Sequence, residues 1–163
     1  MALPVVLWPD ARLARIAAPV SGRDDALAEL IAQMFDTMYH ASGRGLAAPQ
    51  VGVLQRVFVM DEGWKRGEPS PQVFVNPVIL DRSDAAAEGP EGCLSIPGLT
   101  VPVTRHTEVR VTWTDISGQP RDETLIGFAA ICAQHEIDHL DGIVTLDRVT
   151  PGLRATLLRD YRP

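Results

Sequence analysis

Gly127-Phe128-Ala129-Ala130-Ile131-Cys132-Ala133-Gln134-His135-Glu136-Ile137-Asp138-His139-Leu140 contains neither proline nor an internal glycine. Nothing in it interrupts a helical backbone. Gly142 follows where a helix would stop, because glycine enters the left-handed conformation of a C-terminal cap without steric cost. The segment is therefore predicted to be a helix. His135 and His139 lie four residues apart on it, so they share one face and both imidazoles can reach a single ion, while Glu136 can touch a water on that ion. A lone histidine on a helix is more often a core or surface residue, but two at this spacing around a glutamate form a metal-site pattern. Asp138 points off the shared face. Cys132, one turn before His135, reads as a small core residue.

Upstream, the segment from Asp24 to His40 places Leu27, Leu30, Ile31, Met34 and Met38 at spacings of three and four. This is the stripe of an amphipathic helix, with Asp24 or Ser21 as its cap. Gly43-Arg44-Gly45-Leu46-Ala47-Ala48-Pro49-Gln50 follows, and its paired glycines and proline predict a shaped loop. Strands are expected at Val57 to Met60, at Val73 to Leu80 and from Glu108 to Thr114, where Val109, Val111 and Trp113 alternate with polar residues. After a turn at Asp115 to Pro120, Thr124 and Leu125 either begin a return strand or lead into the metal helix. A short third helix is expected from Leu153 to Leu158. The pattern is an α+β fold, antiparallel strands packed around one central helix, in a single catalytic domain spanning 1–163.

A chain of 163 residues, 45% hydrophobic, can bury one sizeable core. Its net charge of −6 argues against direct nucleic-acid readout and against anionic membranes, both of which need a basic face. No apolar run approaches the ~20 residues that span a bilayer, and a cytoplasmic location is expected. The cysteines are Cys93 and Cys132, too few for a disulfide framework.

Catalytic metal sites usually combine three protein ligands with one open position, so two imidazoles leave a ligand missing. Cys93, within Glu91-Gly92-Cys93-Leu94-Ser95, is the best candidate. Gly92 would allow close backbone approach, and the Leu94 amide N–H could face a developing oxyanion. Without the histidine pair, a buried structural cysteine would be the simpler reading.

The segments Gly43 to Gln50, Glu91 to Ser95 and Gln134 to His139, in this order and rough spacing, resemble the peptide deformylase family. The likeness extends to Trp8-Pro9-Asp10 with Leu13 and to Ile96-Pro97-Gly98, so it covers essentially the whole chain. It implies Cys93, His135 and His139 as metal ligands, Glu136 as the acid/base, and Gln50 with the Leu94 N–H as oxyanion donors. Gly45 matches the glycine whose backbone meets the formyl group, and Asp138 is implied to pair with Arg105. Phe128, Ile131 and Cys132 are implied to line the pocket for the substrate side chain, with plain core as their alternative reading. The implied reaction removes the N-terminal formyl group from formyl-methionyl nascent chains and releases formate. The implied cofactor is one divalent metal ion, ferrous iron in the cell, with zinc, nickel or cobalt as substitutes.

Two positions depart from the usual family pattern. Arg44, itself a candidate substrate-binding residue, stands where an apolar residue is common, and Thr100 stands where many members carry an arginine. Both concern binding, which leaves open a deformylase-like amidohydrolase acting on another small N-acyl substrate. A zinc endopeptidase would normally take His or Glu as third ligand, and a non-catalytic metal-binding module would close the fourth position. A transient ribosome contact through Arg154, Arg159 and Arg162 is compatible with the sequence.

Overall fold

The five apolar residues of the first predicted helix are all buried. In the computed structural model, which describes residues 1–163, helix α1 spans Asp25–His40 and the Asp24 carboxylate accepts from the Leu27 N–H at 2.9 Å. Of the two candidate caps, Asp24 serves. The stripe packs on Val57, Val59, Val73 and Val75, and each such fully buried side chain contributes roughly 1.5–3 kcal/mol.

Those valines belong to a five-stranded antiparallel sheet of order β1-β2-β3-β6-β7, formed by β1 (Gly45–Ala47), β2 (Val57–Asp61), β3 (Pro71–Arg82), β6 (Glu108–Thr114) and β7 (Pro120–Ile126). Every residue of β2 is buried, because both faces of the sheet are covered there. Val57 and Val59 meet α1, whereas Phe58 and Met60 face the other way, into a cluster with Ala130, Cys132, Ala133 and Ile137 of α2 (Gly127–Leu140). Phe58 stacks on Phe74 with ring centroids 4.4 Å apart, and Phe74 packs on Trp113 at the same separation. On β6, Val109, Val111 and Trp113 are buried, as their alternation predicts.

Helix α2 lies on the inner face of this sheet and most of its residues are buried. Its end is a Schellman motif: the Ile143 N–H donates to the Asp138 carbonyl and the Gly142 N–H, at φ 76°, to that of His139. Helix α3 runs Pro151–Leu158, two residues longer at its start than expected, because the Thr150 hydroxyl caps it and Pro151 fits the first turn.

Two expectations change. The stretch 43–50 is not wholly a loop: Gly45–Ala47 pairs with β2 as β1, and Ala48–Val51 forms a 3-10 turn. Thr124 and Leu125 lie in the return strand β7, which starts at Pro120 and meets α2 at Gly127. A two-stranded sheet was not anticipated. Strand β4 (Ala86–Cys93) pairs antiparallel with β5 (Ile96–His106), and the β5 residues Ile96, Val101 and Val103 pack on Val6, Leu13, Val144 and Leu146. No helix is long and apolar enough to cross a membrane.

Candidate metal centre

The β4–β5 hairpin turns over the end of α2, and its turn carries Cys93 to the histidines. The donor atoms of Cys93, His135 and His139 all lie within 4.8 Å of one another, with Cys93 Sγ 3.4 Å from His139 Nε2. One thiol and two imidazoles converge from strand and helix on one point. That donor set suits a divalent transition metal, and distances of this order bracket an ion.

The histidine tautomer is set by a neighbour that sequence reasoning left without a role. His135 Nδ1 lies 2.9 Å from Glu91 Oε1, so Nδ1 carries the proton and Nε2 is free to ligate. Glu91 is in turn held by Arg105, whose Nε and Nη2 donate to its two oxygens at 2.9 and 3.0 Å. Arg105 Nη1 also donates to Asp138 Oδ2 at 2.7 Å, the pairing the resemblance implied. Arg148 closes the network, donating to both oxygens of Asp138 at 3.1 and 2.6 Å. Glu91, Arg105 and Asp138 are all buried. The only hint of Glu91 in the sequence was a carboxylate two residues before the cysteine.

Glu136 is 3% exposed, and its Oε1 has no hydrogen-bond partner. Burial, with Glu91 and Asp138 adding to it against His135 and Arg105, pushes its carboxyl up to about 7. At His135 burial opposes charge, but Glu136, Cys93 and Glu91 outweigh it and hold the imidazole well above its usual value. Burial and then His135 push His139 well below. The anionic groups around His135 therefore favour positive charge beside it, while His139 stays neutral and able to ligate.

Gln50 is buried at the end of the 3-10 turn. Its Oε1 accepts from the Ala47 N–H at 3.0 Å, which directs Nε2 towards Ser95 Oγ at 3.1 Å and Cys93 Sγ at 3.7 Å. The Leu94 N–H has no hydrogen-bond partner in the chain. Gly45 explains why β1 can lie against α2: a Cβ there would sit 2.6 Å from Cys132 Sγ and 2.7 Å from Glu136 Oε2. Gly92, by contrast, faces open space, so the close approach expected there is not made.

A cavity of about 760 Å³ opens over this centre. Gly45, Gln50, Cys93, Leu94, His135 and Glu136 line it, as do Arg44, Thr100, Phe128, Ile131 and Cys132. His139 lies beneath, 1% exposed. The buried Cys132 thiol is raised well above its usual pKa by burial and then Glu136, which suits a pocket wall and not a ligand. Lys65 also lines the cavity, and nothing in the sequence singled it out.

An α+β fold with a Cys/His/His cluster and a buried glutamate in an open cavity defines a metal-dependent hydrolase class. Known proteins agree. A family model described as polypeptide deformylase matches residues 2–155. The peptide deformylase of Alkalilimnicola ehrlichii is 46% identical over 157 residues, covering 96% of this chain and 87% of that protein. A crystal structure of a peptide deformylase from Legionella pneumophila superposes with a TM-score of 0.91 at 42% identity, covering 98% of this chain and 92% of that one. One from Synechococcus elongatus in complex with actinonin gives 0.91 at 39% identity, covering 96% and 85%. The chain belongs to the peptide deformylase family.

Proposed function

We infer that the chain removes the N-terminal formyl group from nascent polypeptides and releases formate, as a metal-dependent amidohydrolase. The observation that carries this is the meeting of Cys93 Sγ with the imidazoles of His135 and His139 beside a buried Glu136. We further propose the roles of individual residues. Cys93, His135 and His139 hold one divalent ion, and residues 1–163 act as one catalytic unit. Ferrous iron is the proposed occupant in the cell, since a thiolate with two imidazoles suits softer divalent metals; zinc, nickel or cobalt can substitute. Such an ion supplies Lewis acidity towards a carbonyl and a water acidic enough to lose a proton near neutral pH.

The chain's own residues supply the rest. Glu136, with its carboxyl at about 7, accepts a proton from the attacking water and returns it to the departing amine nitrogen, a role generally worth roughly 100- to 10,000-fold. Gln50 offers a side-chain N–H and Leu94 a backbone N–H to the oxyanion. Because Gln50 Oε1 is fixed on Ala47, this donor is aimed before substrate arrives, and no reorganisation is needed as charge develops. Strand β1 is an edge of its sheet and Gly43 to Gly45 line the cavity, so its free side can pair with an extended peptide. The lack of a side chain at Gly45 lets β1 lie directly against Cys132 and Glu136, which brings the edge of the strand to the acid/base group. Phe128, Ile131, Cys132 and the stem of Arg44 take the first side chain. A cytoplasmic location and a transient ribosome contact through Arg154, Arg159 and Arg162 belong to the same reading.

The test is anaerobic formate release from formyl-Met-Ala-Ser, with metal analysis on the same sample. Formate formed in proportion to bound metal is expected. Iron-loaded protein inert on this peptide but active on acetyl-Met peptides or formylated amino acids would replace the substrate, and inertness on all of them would leave a binding module.

A further inference from the structure

Two cations at the mouth of the cavity have no ion-pair partner. Arg44 and Lys65 are exposed, both line the cavity, and neither forms an ion pair in the chain. The acidic residues lining the same space are Glu91 and Glu136. Glu91 is saturated by Arg105 and His135, and Glu136 is buried. Among the lining residues the free charge is therefore positive, on a chain whose net charge is −6.

The Arg44 guanidinium and the backbone that carries Lys65 are both held in place. The Arg44 guanidinium lies over the Phe128 ring, 3.9 Å from its centroid, which fixes the planar group and leaves its N–H edges free. Lys65 sits in the short turn Trp64–Arg66. That turn is tied to the β1 wall by the Trp64 indole N–H, which donates to the Gly43 carbonyl at 2.8 Å. Tyr39 packs edge-on against Trp64 with centroids 5.2 Å apart. The backbone between the two sites is locked as well, since the Asp61 N–H donates to the Arg44 carbonyl at 2.9 Å.

We propose that Arg44 and Lys65 are specificity-determining residues that select formylated peptides bearing an acidic side chain within the two residues after the formylated one. This rests on the deformylase reading and names the substrate class of that site. Phe128, beneath Arg44, borders the space proposed for the first side chain, which puts the guanidinium over it within reach of the residues that follow. Arg44, already placed on Phe128, gains from a carboxylate at little ordering cost, and Lys65 adds to the attraction.

The experiment compares kcat/KM for C-terminally amidated formyl-Met-Glu-Ala, formyl-Met-Gln-Ala and formyl-Met-Lys-Ala, and for the same set with the variable residue third, by formate release. A Glu-over-Gln preference of about 3- to 10-fold is expected in at least one position at low salt, with Lys poorest. At 1 M salt, where the screening length falls to about 3 Å, it should approach unity. Arg44→Gln combined with Lys65→Gln should abolish the preference. Dissociation constants of the same peptides with metal-loaded Glu136→Gln protein should show the same ratios without turnover. Equal handling of Glu and Gln in both positions, or a preference that survives both substitutions, would overturn the proposal. Absence of formate from every peptide would instead remove the deformylase reading, while the binding ratios would still decide the charge preference.

Discussion

Replacing Arg105 by methionine keeps much of the side-chain volume and removes the guanidinium that bridges two buried carboxylates. In the native chain Arg105 is 6% exposed and donates twice to Glu91 and once to Asp138. After the change Asp138 still has Arg148, whereas Glu91, 8% exposed, keeps only His135. Removing one partner of a buried ion pair costs about 3–5 kcal/mol, because the other charge stays buried and unpaired. With an unfolding entropy of about 2.1 cal/mol/K per residue over 163 residues, that corresponds to a fall in Tm of about 9–15 °C. Thermal unfolding followed by circular dichroism with the metal chelated isolates the fold from metal binding. Adding Glu91→Gln should restore part of the loss, since it removes the stranded charge. In the loaded protein, metal affinity should fall about 10- to 100-fold as the carboxylate orienting His135 is freed. An Arg105→Met protein melting within about 2 °C of its parent would refute this reasoning, since it would mean the network carries no net buried-charge cost.

Gln50→Glu keeps an acceptor for the Ala47 N–H but loses the donor, so kcat for formate release should drop about 100- to 1,000-fold at unchanged metal content; a smaller loss would remove Gln50 from oxyanion stabilisation. Gly45→Ala forces a methyl against Cys132 Sγ and Glu136 Oε2, and a strain of about 1–3 kcal/mol should show in the melting temperature together with a fall in kcat. Adding Cys132→Ala should recover stability but not activity, and recovery of both would show that Glu136 is not displaced.

Periodicity made the helices legible. The stripe on α1 and the unbroken run of α2 each follow from side-chain spacing on one element, and the His135–Glu136–His139 cluster inherits that legibility because it lies on one helix. What depends on pairing between distant segments was hidden. Strand β4 reads Ala86-Ala87-Glu88-Gly89-Pro90-Glu91-Gly92-Cys93, with no β-branched residue and a proline. It is a strand because β5 pairs along its whole length, a tertiary context that overrides propensity. β1 is three residues long and exists only through its register with β2. The Glu91–Arg105–Asp138 network was half visible, since one of its pairs came from the resemblance. Glu91 itself carried no distinguishing signal, because a carboxylate beside a ligand looks the same whether it faces solvent or an imidazole. The free cations of the cavity mouth were invisible as a pair, since Lys65 is brought to Arg44's wall by contacts between distant segments, the Trp64–Gly43 bond among them.

X-ray absorption at the zinc edge of zinc-loaded protein tests the convergence on which everything else depends. One sulfur at about 2.3 Å, two imidazole nitrogens at about 2.0–2.1 Å and one light oxygen donor are expected, with the sulfur lost in Cys93→Ser. A shell without sulfur, or a sulfur that persists in Cys93→Ser, would contradict the account.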